Sequence, residues 1–280
     1  MRIFYIYIHL ETKSLKGLVH SMKNTFNEII RDLELEKLPL EQATKVRFMN
    51  RVDKKYWFHV SKLPDLFEAV KNDYLVQTIE GRPSQAYATK YFDTPDNKMY
   101  TLHHNGKLNR FKIRRRDYLD SQDSFLEVKF KNNKGRTIKK RVESTGQLTD
   151  FNKDETEFLK KRSIFGDEEL SHILTSHFNR LTLINKNFTE RSTIDLDISF
   201  TGKEKSIVMD GLVILELKSE KGSNSSPLKM YLREARLKAS GFSKYCIGRA
   251  LTDKNIKRNR FKQKIRDLGK ILGKPDLYNI

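Results

Sequence analysis

Between Arg110 and Tyr118 every second residue up to Arg116 is a cation: Arg110, Lys112, Arg114 and Arg116, with Phe111 and Ile113 between them. Side chains of an extended strand alternate between its two faces, so this stretch carries one apolar and one charged face. The pattern recurs. In 125–131, Glu127, Lys129 and Lys131 oppose Leu126, Val128 and Phe130, and in 137–142, Lys139 and Arg141 oppose Ile138 and Val142. In 212–218, Glu216 and Lys218 oppose Val213, Leu215 and Leu217. In 191–198, Arg191, Asp195 and Asp197 oppose Ile194, Leu196 and Ile198, and Arg51, Asp53 and Lys55 line up in 51–57.

Two arrangements satisfy this pattern. In one, an antiparallel sheet lays its apolar face on a core and its charged face in water. In the other, the sheet curls so that the charged faces line a barrel and helices cover the outside. Like charges at i, i+2 and i+4 repel, and an outer surface would more usually mix signs. Strand by strand the first arrangement is the ordinary one; the like-charge rows count against it, and both stay open on the pattern alone. A tunnel lined this way repels itself when empty. Two like charges roughly 4 Å apart cost about 1 kcal/mol in water and about 4 at an effective dielectric near 20. An entering polyanion removes that cost. Arg offers a planar fork to two phosphate oxygens and Lys a compact charge. Glu216 beside Lys218 could hold a hard divalent ion that bridges to a phosphate, or simply form a salt bridge.

Bulk composition agrees. The 280 residues carry a formal net charge of +19, which calls for an anionic partner: nucleic acid, an acidic membrane or a polyanionic small molecule. Hydrophobic residues are only 37%, but seventeen Phe and eleven Tyr set in strand-like runs argue against disorder. Cys246 is the single cysteine, which excludes an intrachain disulfide and a cysteine-rich zinc site and fits a reducing cytoplasm. Met1–Leu10 is apolar but too short to span a bilayer, and a signal peptide is not expected. Met22 opens a clean helical segment, so residues 1–21 read as an over-extended start or a loose arm.

Periodicity predicts helices over 22–34 (Phe26, Ile29, Ile30, Leu33), 62–73, 152–178, 228–239, 243–251 and 254–272. It predicts strands over 46–59, 84–93, 98–104, 107–118, 124–132, 136–143, 181–200 and 206–218, with Asn105-Gly106 as a hairpin turn. This order is α+β. The last helix would carry a basic stripe of Lys254, Lys257, Arg258, Arg260, Lys262, Lys264 and Arg266. It reads as a solvated patch, with docking to a membrane surface or a protein as alternatives; no specific nucleic-acid partner is expected.

Seven segments appear in order: RVDKKYWFHVSKL, YFDTPDNKMY, RFKIRRRDY, FLEVKFK, GRTIKKRV, LELK and FSKYCIG. Together they resemble the VTC-domain polyphosphate polymerases, a branch of the triphosphate tunnel metalloenzymes (CYTH-like superfamily), over about residues 22–250. The resemblance implies an antiparallel β-barrel forming a triphosphate tunnel, with helices outside and at the termini. It divides the chain into an arm and helix over 1–45, a tunnel domain over 46–252 and a basic helix over 253–280. It implies ATP and polyphosphate, or tripolyphosphate, as partners and manganese or magnesium as cofactor. Polymerase members move the γ-phosphoryl group of ATP onto polyphosphate, while relatives hydrolyse triphosphates; a binding module without chemistry stays open. By position, Arg114, Arg116, Arg191 and Lys218 would be catalytic. Lys55, Lys112, Lys129, Lys139, Arg141 and Lys244 would bind phosphates. Glu216 would hold the metal, with Glu127 and Asp197 as further candidates.

Three departures stand out. The hydrolytic relatives carry E-x-E-x-K in the first strand, whereas this chain has Arg51-x-Asp53-x-Lys55, which favours the polymerase-like branch. Thr189 stands where an aromatic residue would precede Arg191 by two, and Gly241 stands where some members have a lysine.

Overall fold

The computed structural model describes residues 33–43, 51–145, 150–220, 222 and 225–279. The arm expected over 1–21, the helix over 22–34 apart from its last two residues, and strand positions 46–50 lie outside them. The strands are β1 (Glu36–Pro39), β2 (Arg51–His59), β3 (Tyr74–Thr78), β4 (Ser84–Asp93), β5 (Arg110–Tyr118) and β6 (Ser124–Lys131). They continue as β7 (Thr137–Glu143), β8 (Ser171–Asn185), β9 (Glu190–Gly202), β10 (Ser206–Val208) and β11 (Leu212–Glu220). The helices are α1 (Leu40–Ala43), α2 (Leu63–Val70), α3 (Lys98–His104), α4 (Lys153–Arg162), α5 (Pro227–Glu234), α6 (Lys244–Thr252) and α7 (Lys262–Ile271). Among the described residues no helix is long and apolar enough to cross a membrane.

One antiparallel path runs β2-β11-β9-β8-β4-β5-β6-β7, while β3 joins β8 and pairs in parallel with β1, and β10 joins β9. The path curls around its polar face. The Lys112 ammonium of β5, disfavoured first by burial, is also repelled by Lys55 of β2. Laid flat, those strands would stand about 24 Å apart, five spacings of roughly 4.8 Å. That is far beyond a screening length of about 8 Å. Only curling brings the two lysines across from each other. The architecture is thus the α+β, tunnel-forming antiparallel sheet that the resemblance implied.

The apolar faces meet helices. Outside β9 and β11, Leu183, Ile194, Val213 and Leu215 pack with Leu63, Leu66 and Val70 of α2 and with Leu228 and Leu232 of α5. Outside β5 and β6, Phe111, Ile113, Leu126 and Val128 pack with Leu159 of α4 and Phe165. A third cluster gathers Tyr100, Leu174, Phe200 and Ile214 with Tyr245, Ile247 and Leu251 of α6 and Ile265 and Leu268 of α7. Each fully buried aliphatic side chain contributes about 1.5–3 kcal/mol. These clusters are what hold the charged face in place.

Several local expectations are corrected. Residues 98–104 form helix α3, not a strand. The Asp93 carboxylate accepts the Met99 and Tyr100 N–H groups at 2.9 and 3.0 Å, and Thr94 Oγ1 accepts that of Lys98 at 3.0 Å. Those bonds satisfy donors that a helix start leaves free. Asn105-Gly106 is therefore a helix end rather than a hairpin. Gly106, at φ +71°, lets the Lys107 N–H return to Leu102 O. The helix expected over 152–178 stops at Arg162, and 171–178 belong to β8, which pairs with the following strand β9 and with the remote strand β4. Gly211, at φ +76°, divides 206–218 into two strands. Strand β3 had no sequence forecast; it is buried throughout. The basic terminal helix begins only at Lys262.

Candidate functional site

Cross-strand register carries the polar face around the sheet. On one side Lys55 opposes Glu216, Glu216 opposes Thr193, and Lys218 opposes Arg191. On the other, Thr89 opposes Arg116 and Arg114 opposes Glu127. Lys129 sits between two further lysines, Lys112 on β5 and Lys139 on β7. Like charges facing directly across strands destabilise a sheet, so this row is unfavourable without an anion.

Three carboxylates order the cations. Glu127 is fully buried; it accepts Arg114 Nε at 2.6 Å and Arg114 Nη2 at 2.5 Å, and Lys139 at 2.9 Å. Burial would raise its carboxyl, but Arg114, Arg116 and Lys139 outweigh that and hold it below the ordinary value. Asp195 accepts Arg180 bidentately, at 2.6 Å from Nε and 2.9 Å from Nη2, and also pairs with Lys244. Burial opposes its ionisation too, and Arg180 and Lys244 reverse the effect. Glu216 pairs with Lys55 at 2.5 Å, and Lys218 stands 3.9 Å away. Its carboxyl, raised by burial but lowered more by Lys218 and Lys55, falls to about 2.

Other cations lack a close carboxylate partner among the described residues. Among the described residues Arg116 donates only a long 3.3 Å bond to Thr89 Oγ1, and it lies over the rings of Tyr87 and Phe178. Burial, with Arg114 and Arg180 nearby, brings its pKa down to about 10. Lys129 makes no hydrogen bond or ion pair among the described residues, and Arg114, burial and Arg116 push its pKa well below the usual lysine value. Lys112 donates to Ser243 Oγ at 3.1 Å. Arg191 reaches Gln77 Oε1 at 3.1 Å. Arg141 lies 4.2 Å from the centre of the Phe125 ring on the exposed strand β7. Burial lowers Lys218, with Arg180 adding to it against Glu216.

One end of the concave face is crossed by the start of α6. Phe242 meets Trp57 of β2, Lys244 pairs with Asp195 of β9, and Tyr245 stacks on Tyr91 of β4. Lys244 is buried there, and burial brings its pKa down to about 8 although Asp195 opposes this.

The sequence-derived cations therefore share one face. The three carboxylate candidates do not converge. Glu127 is taken up by Arg114 and Lys139, and Asp197 accepts Asn179 Nδ2 at 2.8 Å at a bulge where its own φ is +51°. Among the described residues no group of three or more His, Cys, Asp or Glu side chains gathers as a metal cage. Magnesium-like ions commonly use one or two carboxylates plus substrate phosphates; Glu216, the carboxylate expected to hold one, is paired with Lys55 at 2.5 Å. Arg180 is not among the sequence-derived cations, because local periodicity makes the chain helical up to 178. The signal was present: Arg180 and Thr182 alternate with Leu181 and Leu183. With Arg180 comes Phe178, two residues earlier, stacked on Tyr87 at 5.2 Å. The aromatic-x-arginine spacing sought at Thr189 and Arg191 thus occurs on β8. Arg115, on the opposite face of β5, was also overlooked; it is fully buried and bound to Glu155 of α4.

Comparison with known proteins adds a family. A model described as the VTC domain matches residues 50–252. Among solved structures, the chain is similar to a candidate adenylyl cyclase from Hippeastrum described as having a dominant triphosphatase activity. Identity is 15%, covering 72% of this chain and 95% of that one, with a TM-score of 0.45. It is also similar to a candidate adenylate cyclase from Vibrio parahaemolyticus. Identity is 13%, covering 72% of this chain and 99% of that one, with a TM-score of 0.42. No curated protein sequence matches the chain significantly.

Proposed function

The chain belongs to the VTC domain family, and from that premise we propose that its concave face binds ATP and moves the γ-phosphoryl group onto the end of a polyphosphate chain. The observation that carries this reading is the cross-strand row Lys112, Lys129 and Lys139, with Lys129 unpaired among the described residues. Glu127 balances Lys139, and a bound phosphate chain supplies the negative charge that Lys112 and Lys129 lack.

In the transfer, a terminal oxygen of the acceptor chain forms a bond to the γ-phosphorus. The bond to the β-phosphate oxygen breaks, and ADP leaves with that oxygen. Such reactions need positioning and charge stabilisation more than a protein nucleophile. Arg116, Arg180 and Lys129 hold the triphosphate oxygens, with Arg114 fixed beside them by Glu127. Arg191 and Lys218 continue the cationic face toward the acceptor. Glu216 would hold Mg²⁺ or Mn²⁺, which when bound neutralises part of the phosphate charge.

The test incubates purified protein with ATP and Mn²⁺ and resolves products by gel. A phosphate ladder, lost in Lys129→Ala, is the expected result. Free phosphate without a ladder would assign the site to triphosphate hydrolysis. Neither product, with polyphosphate binding unchanged in Lys129→Ala, overturns the proposal.

A further inference from the structure

The basic run at the C-terminus does not form the stripe that helical periodicity suggested. Helix α7 begins at Lys262, and the residues before it fold back. The Tyr100 hydroxyl donates to Lys257 O at 2.7 Å, and the Arg260 N–H donates to His104 Nε2 at 3.4 Å. His104 itself is buried between Tyr100 and Phe261. The Arg260 guanidinium lies against Gly106, where a Cβ would stand 3.1 Å from Nη1. From the other side, Leu277 is buried and anchors the final turn, which brings Tyr278 over the same spot.

These three segments border an open hollow of about 520 Å³ lined by His104, Asn105, Lys257, Arg258, Asn259, Arg260 and Tyr278. Three cations and two amides line it, and no carboxylate does among the described residues. More positive charge stands behind it. Lys262 and Arg266 join Arg258 around the Tyr278 ring, at 5.5, 5.8 and 5.1 Å from its centre. Lys205, lowered first by burial and then by Lys254 and Arg258, feels the same field. None of these residues belongs to the concave face. The backbone bonds, the buried His104 and the anchored Leu277 hold the lining in place before any ligand arrives, which reduces the ordering cost of binding.

We propose that this cavity is a second anion site that takes a compact ligand with two or more phosphate groups, separate from the tunnel. The cations converge on a hollow rather than spreading along an exposed helix, which suits a compact oligophosphate better than a nucleic-acid backbone. Arg supplies paired donors to phosphate oxygens, and the amides of Asn105 and Asn259 add neutral ones. The ligand could be free in solution or a phosphorylated lipid headgroup; the recognition chemistry is shared. This inference stands independently of the tunnel's catalytic role.

Calorimetric titration of the full chain with tripolyphosphate tests it. Two classes of site are expected. Lys257→Glu combined with Arg260→Ala should weaken one class about tenfold or more while ATP turnover in the tunnel is unchanged. Arg116→Ala should weaken the other class. Lys257→Glu alone, at an exposed side chain, guards against misfolding of the double variant and should weaken the same class. Sedimentation with vesicles bearing a doubly phosphorylated headgroup, competed by tripolyphosphate, would place the ligand on a lipid; tripolyphosphate binding without vesicle binding would place it in solution. A single class of site overturns the proposal, as does a second class that survives both variants. Salt-sensitive binding of duplex DNA by this face with no second tripolyphosphate site also overturns it.

Discussion

Arg115 and Arg116 are neighbours on β5, and both are buried, yet their charges meet different surroundings. Arg115 points outward into the core under α4. Its Nη2 donates to both Glu155 oxygens, at 2.9 and 2.7 Å, and to Asp150 O at 3.0 Å, between the rings of Phe92 and Phe151. Arg116 points inward, where burial first, and then the charges of Arg114 and Arg180, bring its pKa down to about 10. One arginine is balanced within the protein; the other is left for a ligand to balance. A single step in strand parity separates a structural ion pair from a binding group.

Breaking the outward pair should have the largest effect. Arg115→Ala leaves Glu155 charged and buried without its partner, and should destabilise the fold by about 3–5 kcal/mol in urea denaturation. A loss under about 1 kcal/mol would mean that the two arginines differ less than their surroundings suggest. Arg116→Met should do the reverse. It removes a self-repelling charge, so stability should hold or rise, while phosphoryl transfer should fall about 100-fold, as when one charge-stabilising donor is lost. Single-turnover rates alongside melting curves separate the two outcomes.

The smallest expected effect sharpens the comparison through pH. Lys244 has a folded pKa near 8 against an ordinary 10.5. Between those values the folded chain has released a proton that the unfolded chain still binds, so this group's contribution makes stability rise with pH across that window. Anion binding should move the opposite way. As pH rises through 8, the free tunnel loses a cation, and triphosphate affinity should fall severalfold between pH 7 and 9. Titration at fixed ionic strength measures this. Lys244→Met should flatten that part of the profile, and an unchanged profile would remove Lys244 from the binding face.

Much of the site was legible because a strand's side chains alternate whatever its neighbours do. Arg114, Arg116, Lys129, Glu216 and Lys218 could be placed on a common polar side from spacing alone. The helix α3 could not, because its start is held by the Asp93 carboxylate, which the remote Tyr245 hydroxyl of α6 keeps in place. Nor could β8, whose first half resembles a helix locally and becomes a strand only by pairing with β4 and β9. Arg180 and Phe178 were lost with it. The basic tail was misplaced for a similar reason: contacts from Tyr100 and His104 stop the helix from starting before Lys262.

The sequence by itself determined which side chains share a face, because that follows from backbone geometry within each strand. It also determined that the shared face is cationic. Only the tertiary structure decided that the face is concave, that Lys55 stands across from Lys112, and that carboxylates balance Arg114, Arg115 and Arg180 but leave Arg116 and Lys129 exposed to the field. Curl and charge pairing depend on which remote strands meet and on the helices that cover their apolar sides. Those are long-range contacts, and local periodicity does not encode them.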